Sequence, residues 1–180
     1  DGKRYLDLGA GIATACLGHG HRELATALAE QAGKLTHVSN LYYTEPQGLL
    51  AEKLVEYADG SGKVFFCNSG AEANETLFKL ARLNGEEKGR FEILTTLGSF
   101  HGRTLAGIAA TGQTKVKEGF EPAVKGFGHA TFGDIGSMRE AITPNTGAIL
   151  VEPVQGESGV HCASPEYLLV HASICTSHRS

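Results

Sequence analysis

The chain of 180 residues has no tract of clustered lysine and arginine, and its net charge is −4. A nucleic-acid partner needs a basic face, so none is expected. No apolar run approaches the ~20 residues that a membrane helix requires, so no membrane partner is expected either. The opening Asp1-Gly2-Lys3-Arg4 lacks the charged-then-apolar layout of a secretion leader. Proline is scarce, at 5 residues, and the 24 glycines follow no Gly-X-Y period, which excludes collagen-like and low-complexity chains. The four cysteines, Cys16, Cys67, Cys162 and Cys175, form no Cys-x-x-Cys pair. That spacing fits a reducing, cytoplasmic setting better than a disulfide scaffold. Cys67, inside an apolar run, reads as a small buried hydrophobe. There is no internal repeat and no linker.

What is present is ordinary globular composition, 41% hydrophobic and 20% charged, at the length of one typical domain. Arg4 to Leu8 alternates polar and apolar residues and reads as a short strand. Leu24, Leu28, Ala32 and Leu35 recur at helical spacing, so the residues from Glu23 to Leu35 form an expected amphipathic helix. Thr44-Glu45-Pro46-Gln47 carries a cap, a first-turn proline and a capping-box glutamine, and it starts a second helix that ends at Asp59-Gly60-Ser61-Gly62. The run from Lys63 to Cys67 is a strand candidate, followed by a helix presenting Ala73, Leu77, Leu80 and Ala81 and closing at Asn84-Gly85. Phe91 to Leu97 and Ala148 to Val151 are further apolar strand candidates. Apolar strands alternating with helices predict an α/β fold with a mainly parallel sheet and flanking helices. Past about Leu168 no period survives; a helix from Pro165 to about Ala172 is compatible with the text, and an irregular tail is expected beyond it.

Four constellations invite a chemical reading. At Asn68-Ser69-Gly70-Ala71 a strand candidate gives way to a helix. Free N–H groups and the helix dipole make such a junction an anion site, and small residues let a phosphate approach; Ser69 also reads as a plain N-cap. Ser99-Phe100-His101-Gly102-Arg103-Thr104 follows a strand, where ligand sites of open α/β sheets gather. There Phe100 offers a face to a planar ring and Arg103 a two-pronged grip for a carboxylate, although a surface turn with a solvated arginine would look the same. Glu152-Pro153-Val154-Gln155-Gly156-Glu157 sets two carboxylates at a third strand end, as an acid–base pair, a cation holder or solvated loop residues. Gly18-His19-Gly20-His21 suggests a metal, but no carboxylate or cysteine stands at ligand spacing, and histidines in a turn are the better reading.

In order along the chain, these segments resemble the class III aminotransferases, pyridoxal-phosphate enzymes of fold type I. The resemblance is carried by Leu17 to His21, His37 to Tyr43, Asn68 to Glu75 with Lys79 to Arg82, Ser99 to Thr104, and Glu152 to Glu157. It implies the partial large domain of the fold-type I transferase fold: an N-terminal segment over residues 1–60, a partial cofactor-binding large domain over 61–165 and a divergent tail over 166–180. It further implies that Ser69, Gly70 and Ala71 hold the phosphate of pyridoxal 5'-phosphate. Phe100 stacks on the ring, His101 and Glu152 lie beside it, Arg103 and Ile12 meet the substrate, and Glu157 helps switch between the two half-reactions. Gly11-Ile12-Ala13 and Ser39 to Gln47 resemble the acetylornithine branch of the family, which moves an amino group from N-acetylornithine to 2-oxoglutarate. Ornithine, succinyldiaminopimelate and 4-aminobutyrate remain open as donors. A homodimer is the family's usual assembly.

The resemblance also implies an aspartate for the ring nitrogen and a Schiff-base lysine. The aspartates are Asp1, Asp7, Asp59 and Asp134, none after the Glu152 block, and none of the nine lysines stands in the family's lysine context. No catalytic residue is therefore assigned, and the chain is expected to be a fragment, inactive by itself. The alternatives are a lysine-less binding or regulatory module and a nucleotide-binding module. The absence of Gly-x-Gly-x-x-Gly after a strand counts against the last.

Overall fold

The computed structural model describes residues 1–58, 60–157 and 159–177. Its contacts divide the chain into two units, Asp1–Val64 and Phe65–Ser180. The first unit holds a single irregular turn, α1 (Ala10–Ala13), and two helices, α2 (Arg22–Lys34) and α3 (Glu45–Tyr57). The second holds α4 (Gly70–Gly85), β1 (Glu92–Thr96), α5 (Leu105–Ala110), β2 (Phe127–Ala130), α6 (Ile135–Ala141), β3 (Thr146–Ile149), β4 (Val154–Gln155), β5 (His161–Cys162) and α7 (Pro165–Ser177).

In the first unit the two helices start differently. His21 caps α2 by accepting the Leu24 N–H at 3.3 Å. Pro46 sits in the first turn of α3, but Thr44 makes no side-chain cap bond, so the expected capping box is not formed. Ala58 donates back to Leu54 and Val55 at the end of α3; Asp59 lies outside the described residues. The alternating segment Arg4 to Leu8 is irregular rather than a strand. A strand needs a neighbouring edge for its N–H and C=O groups, and the described residues of this unit form only helices.

The second unit is built on a three-stranded parallel sheet in the order β2-β1-β3. Strand β1 is central, with Ile93 opposite Phe127 on one side and Ala148 on the other. Side chains on a strand alternate between faces, and β1 uses both. Ile93 packs with Phe78 and Ala110 beneath α4 and α5, while Leu94 packs with Ala130 and Met138 beneath α6. Helices therefore cover both faces, as parallel sheets require. A two-stranded antiparallel ribbon, β4–β5, follows β3.

Several expectations change. The run Lys63 to Cys67 is not a strand, because no described strand runs beside it. Cys67 is accordingly exposed rather than buried. The buried stripe of α4 passes through Phe78 and Ala81, whereas Leu77 and Leu80 stay exposed. Strand β2 and helices α5 and α6 carry no clear sequence period: Phe127-Gly128-His129-Ala130 becomes a strand because β1 offers it an edge. Helix α7 runs to Ser177 where an irregular tail was expected past about Ala172; residues 178–180 and the Cys175 side chain lie outside the description.

Candidate functional site

Three segments of the second unit meet at the carboxyl end of β1. The first is the start of α4. Ser69 is its N-cap, accepting the Glu72 N–H at 3.2 Å, while the Glu72 carboxylate accepts the Asn68 N–H at 2.6 Å and the Asn68 side-chain amide at 3.0 Å. The Ser69 cap and the Glu72 bonds to the preceding Asn68 together fix the loop. They leave the N–H groups of Gly70 and Ala71 at the positive end of a 16-residue helix, and leave the Ser69 hydroxyl proton free to donate.

The second segment is the loop from Ser99 to Thr104. Gly102 adopts φ +109, and a Cβ there would stand 3.2 Å from Ala71 Cβ. Only glycine allows this approach, which sets the loop directly on the helix start. Asn74 donates its side-chain amide to His101 O at 3.0 Å, and the Thr104 hydroxyl donates to Glu75. Ser99 is fully buried, and its hydroxyl accepts the Gly112 N–H at 3.0 Å. Phe100 is half-buried, and the Arg103 guanidinium lies over its ring, 5.4 Å from the centroid.

The third segment is the Glu152 block. The Glu152 carboxylate accepts the Phe100 N–H at 3.2 Å. Burial pushes its pKa above the ordinary carboxylate value; the Phe100 N–H opposes this and the charge of Glu157 adds to it. Gln155, only 4% exposed, donates to Thr96 Oγ1 and Leu97 O.

The structure thus brings Ser69, Gly70, Ala71, Phe100, His101, Arg103 and Glu152 into one region, with Glu157 coupled to it through Glu152. Ile12, exposed and at φ 58, belongs to the first unit. His19 lies 3.6 Å from the Asp7 carboxylate. Among the described residues no group of three or more His, Cys, Asp or Glu side chains could hold a metal ion. Asn74, Glu75 and Gln155 support the site but were not singled out from the sequence. Asn74 and Glu75 follow Ala71 at i+3 and i+4, so their shared face was readable. Gln155 had no comparable signal.

His101 is 3% exposed, and its Nε2 has no hydrogen-bond partner. Burial, aided by nearby His129, pulls its pKa from 6.5 down to about 4. The folded state therefore binds the proton less readily than the unfolded chain. Stability is complete above about pH 6.5 and falls as pH drops toward 4, by roughly 3 kcal/mol in the limit. His129, lowered by burial and then by Lys117, adds in the same direction. Denaturant midpoints at pH 7 and pH 4.5 should show this loss, and His101→Gln should remove most of it. An unchanged pH dependence in that variant assigns the effect to another group.

A planar phosphate-bearing cofactor fits these residues. A Cβ built on Gly70 meets nothing within 4 Å, so the first turn of α4 faces open space. The half-buried ring of Phe100 stands on the loop that Gly102 seats against Ala71.

The fold is shared with solved enzymes. A Bacillus anthracis aminotransferase superimposes with a TM-score of 0.90 at 32% identity, over 98% of this chain and 44% of that one. The ornithine aminotransferase of Toxoplasma gondii, solved with pyridoxal phosphate partly occupying its active site, gives 0.88 at 30% identity, over 97% and 43%. The chain has the fold of the pyridoxal-phosphate-dependent transferases of fold type I. The acetylornithine aminotransferase of Myxococcus xanthus is 50% identical over 99% of this chain and 45% of its own length. The family model of aminotransferase class III matches residues 1–180. The chain belongs to the class III aminotransferases, a pyridoxal-phosphate-dependent family, and it spans less than half the length of the relatives it matches.

Proposed function

We propose that this chain is the cofactor-holding portion of an aminotransferase that moves an amino group from N-acetylornithine to 2-oxoglutarate, in arginine biosynthesis. The observation that carries the proposal is the seating of Gly102 on Ala71, which sets Phe100 and Arg103 beside an anion cradle. In this reading the Gly70 and Ala71 N–H groups and the Ser69 hydroxyl bind the phosphate, and Phe100 covers one ring face. Glu152 holds the Phe100 peptide in place. Arg103, now lying on Phe100, grips a substrate carboxylate with two parallel hydrogen bonds. Glu157, close enough to raise the Glu152 pKa, faces the arriving substrate and favours one carboxylate pattern over another. When bound, the cofactor supplies an electron sink for the carbon that bears the amino group. The acetylornithine assignment rests on the 50% identity to the Myxococcus enzyme and on the Ile12 and Tyr42-Tyr43 segments.

Family membership supports a homodimer for the longer protein. The free, exposed Cys16, Cys67 and Cys162 support a reducing, cytoplasmic setting. No described helix is long and apolar enough to cross a membrane.

Titration of the 180-residue chain with pyridoxal phosphate, followed by cofactor absorbance and protein fluorescence, should reveal binding. Phe100→Ala should weaken it about tenfold, or ~1.4 kcal/mol, the value of a stacked aromatic contact. Equal binding by the variant would remove Phe100 from the site. For the longer protein containing this chain, kcat/KM should favour N-acetylornithine over ornithine as donor, and the reverse order would overturn the substrate assignment.

A further inference from the structure

Gln155 is the most buried of the described residues in the loop after β3. It is 4% exposed, while Glu152 is half-buried and Pro153, Val154, Gly156 and Glu157 are exposed. A buried carboxamide persists only where its hydrogen bonds are met. Both amide protons of Gln155 are used: Nε2 donates to Thr96 Oγ1 at 3.0 Å and to Leu97 O at 3.1 Å. Both acceptors lie at the carboxyl end of β1, 58 and 59 residues back along the chain. The carboxamide oxygen closes over Gly98, where a Cβ would stand 3.0 Å from it. Gln155 is also a ladder residue, paired with His161, and Ala163 N bonds Pro153 O to complete the ribbon. The side chain thus fastens the β4–β5 ribbon to the sheet edge three residues after Glu152, whose carboxylate holds the Phe100 N–H.

We infer that Gln155 is a positioning residue of the cofactor site: its buried carboxamide clamps the β4–β5 ribbon to the end of β1, and so holds Glu152 on the peptide of the ring-stacking Phe100. The inference rests on the cofactor reading given above. Gln155 touches neither substrate nor cofactor. It acts by setting where Glu152 stands and, two residues beyond itself, where Glu157 stands.

The test is a double-mutant cycle on the 180-residue chain, read as affinity for pyridoxal phosphate. Gln155→Met keeps the length of the side chain and removes both donors. It should weaken binding about tenfold, the equivalent of two ordinary hydrogen bonds. In a Glu152→Ala background the same change should add nothing, because its effect runs through Glu152. A merely structural role predicts equal losses in both backgrounds, and that result overturns the inference. So does equal binding by Gln155→Met and the parent chain. If the parent binds no pyridoxal phosphate, the cofactor reading fails and takes this inference with it. Should Gln155→Met fail to fold by circular dichroism, Thr96→Val removes one acceptor from the other side. It should weaken binding about threefold, one hydrogen bond, and unchanged affinity overturns the inference.

Discussion

Supplied with pyridoxal phosphate, N-acetylornithine and 2-oxoglutarate, the 180-residue chain is expected to form no glutamate beyond the rate of the free cofactor. In the proposed reading the site binds, orients and grips, but transamination also needs a base to carry the proton between two carbons. The resemblance to the class III family implies that this base is a Schiff-base lysine, and none of the nine lysines is assigned that role. A positioned base contributes about 10² to 10⁴-fold in rate, so its absence should leave little above background. The same reasoning predicts no borohydride-reducible cofactor adduct at any one lysine, read by peptide mass spectrometry. Glutamate formation that Phe100→Ala abolishes would show that a lysine within these residues serves. Supply of the remaining part of a class III enzyme, as a separate polypeptide, should restore turnover if this chain is the cofactor-holding portion. A pure binding module would stay silent.

Phe78→Ala should cost the second unit about 3–5 kcal/mol, the usual loss for a buried phenylalanine cut to alanine. Phe78 is 4% exposed on α4, and its ring meets Phe127 of β2 edge to face, at 5.1 Å and 74°. It also packs on Ile93 of β1 and Ala110 of α5, so one side chain joins a helix to the middle and one edge of the sheet. A domain's total stability is only about 5–15 kcal/mol, so this loss should lower the urea midpoint by a large fraction. The consequence reaches the site, because the same stripe of α4 carries Ala71 and Asn74, which hold the Phe100 loop. Cofactor binding should therefore disappear together with the cooperative transition. A loss below 1 kcal/mol would mean that the core of this unit lies elsewhere.

Local sequence determined much about this protein. The α/β alternation, helices α2, α3 and α4, the central strand and the loops at Ser69, Phe100 and Glu152 were legible. Each rests on short-range rules: an apolar period, a cap, a proline in a first turn, a glycine at a junction. The family resemblance likewise lay in contiguous motifs. The tertiary structure decided the rest. Lys63 to Cys67 has strand composition yet pairs with nothing, because a strand is defined by its neighbour. Phe127-Gly128-His129-Ala130 has weak strand composition yet pairs, because β1 offers an edge. Leu77 and Leu80 were the expected apolar face of α4, but the packing of α4 on β1 buried Phe78 instead. The site itself is long-range: Gly102 on Ala71, Phe100 under Glu152, Gln155 on Thr96 and Leu97. Sequence supplied these side chains tens of residues apart, and only packing against a shared sheet edge could bring them to hydrogen-bonding distance.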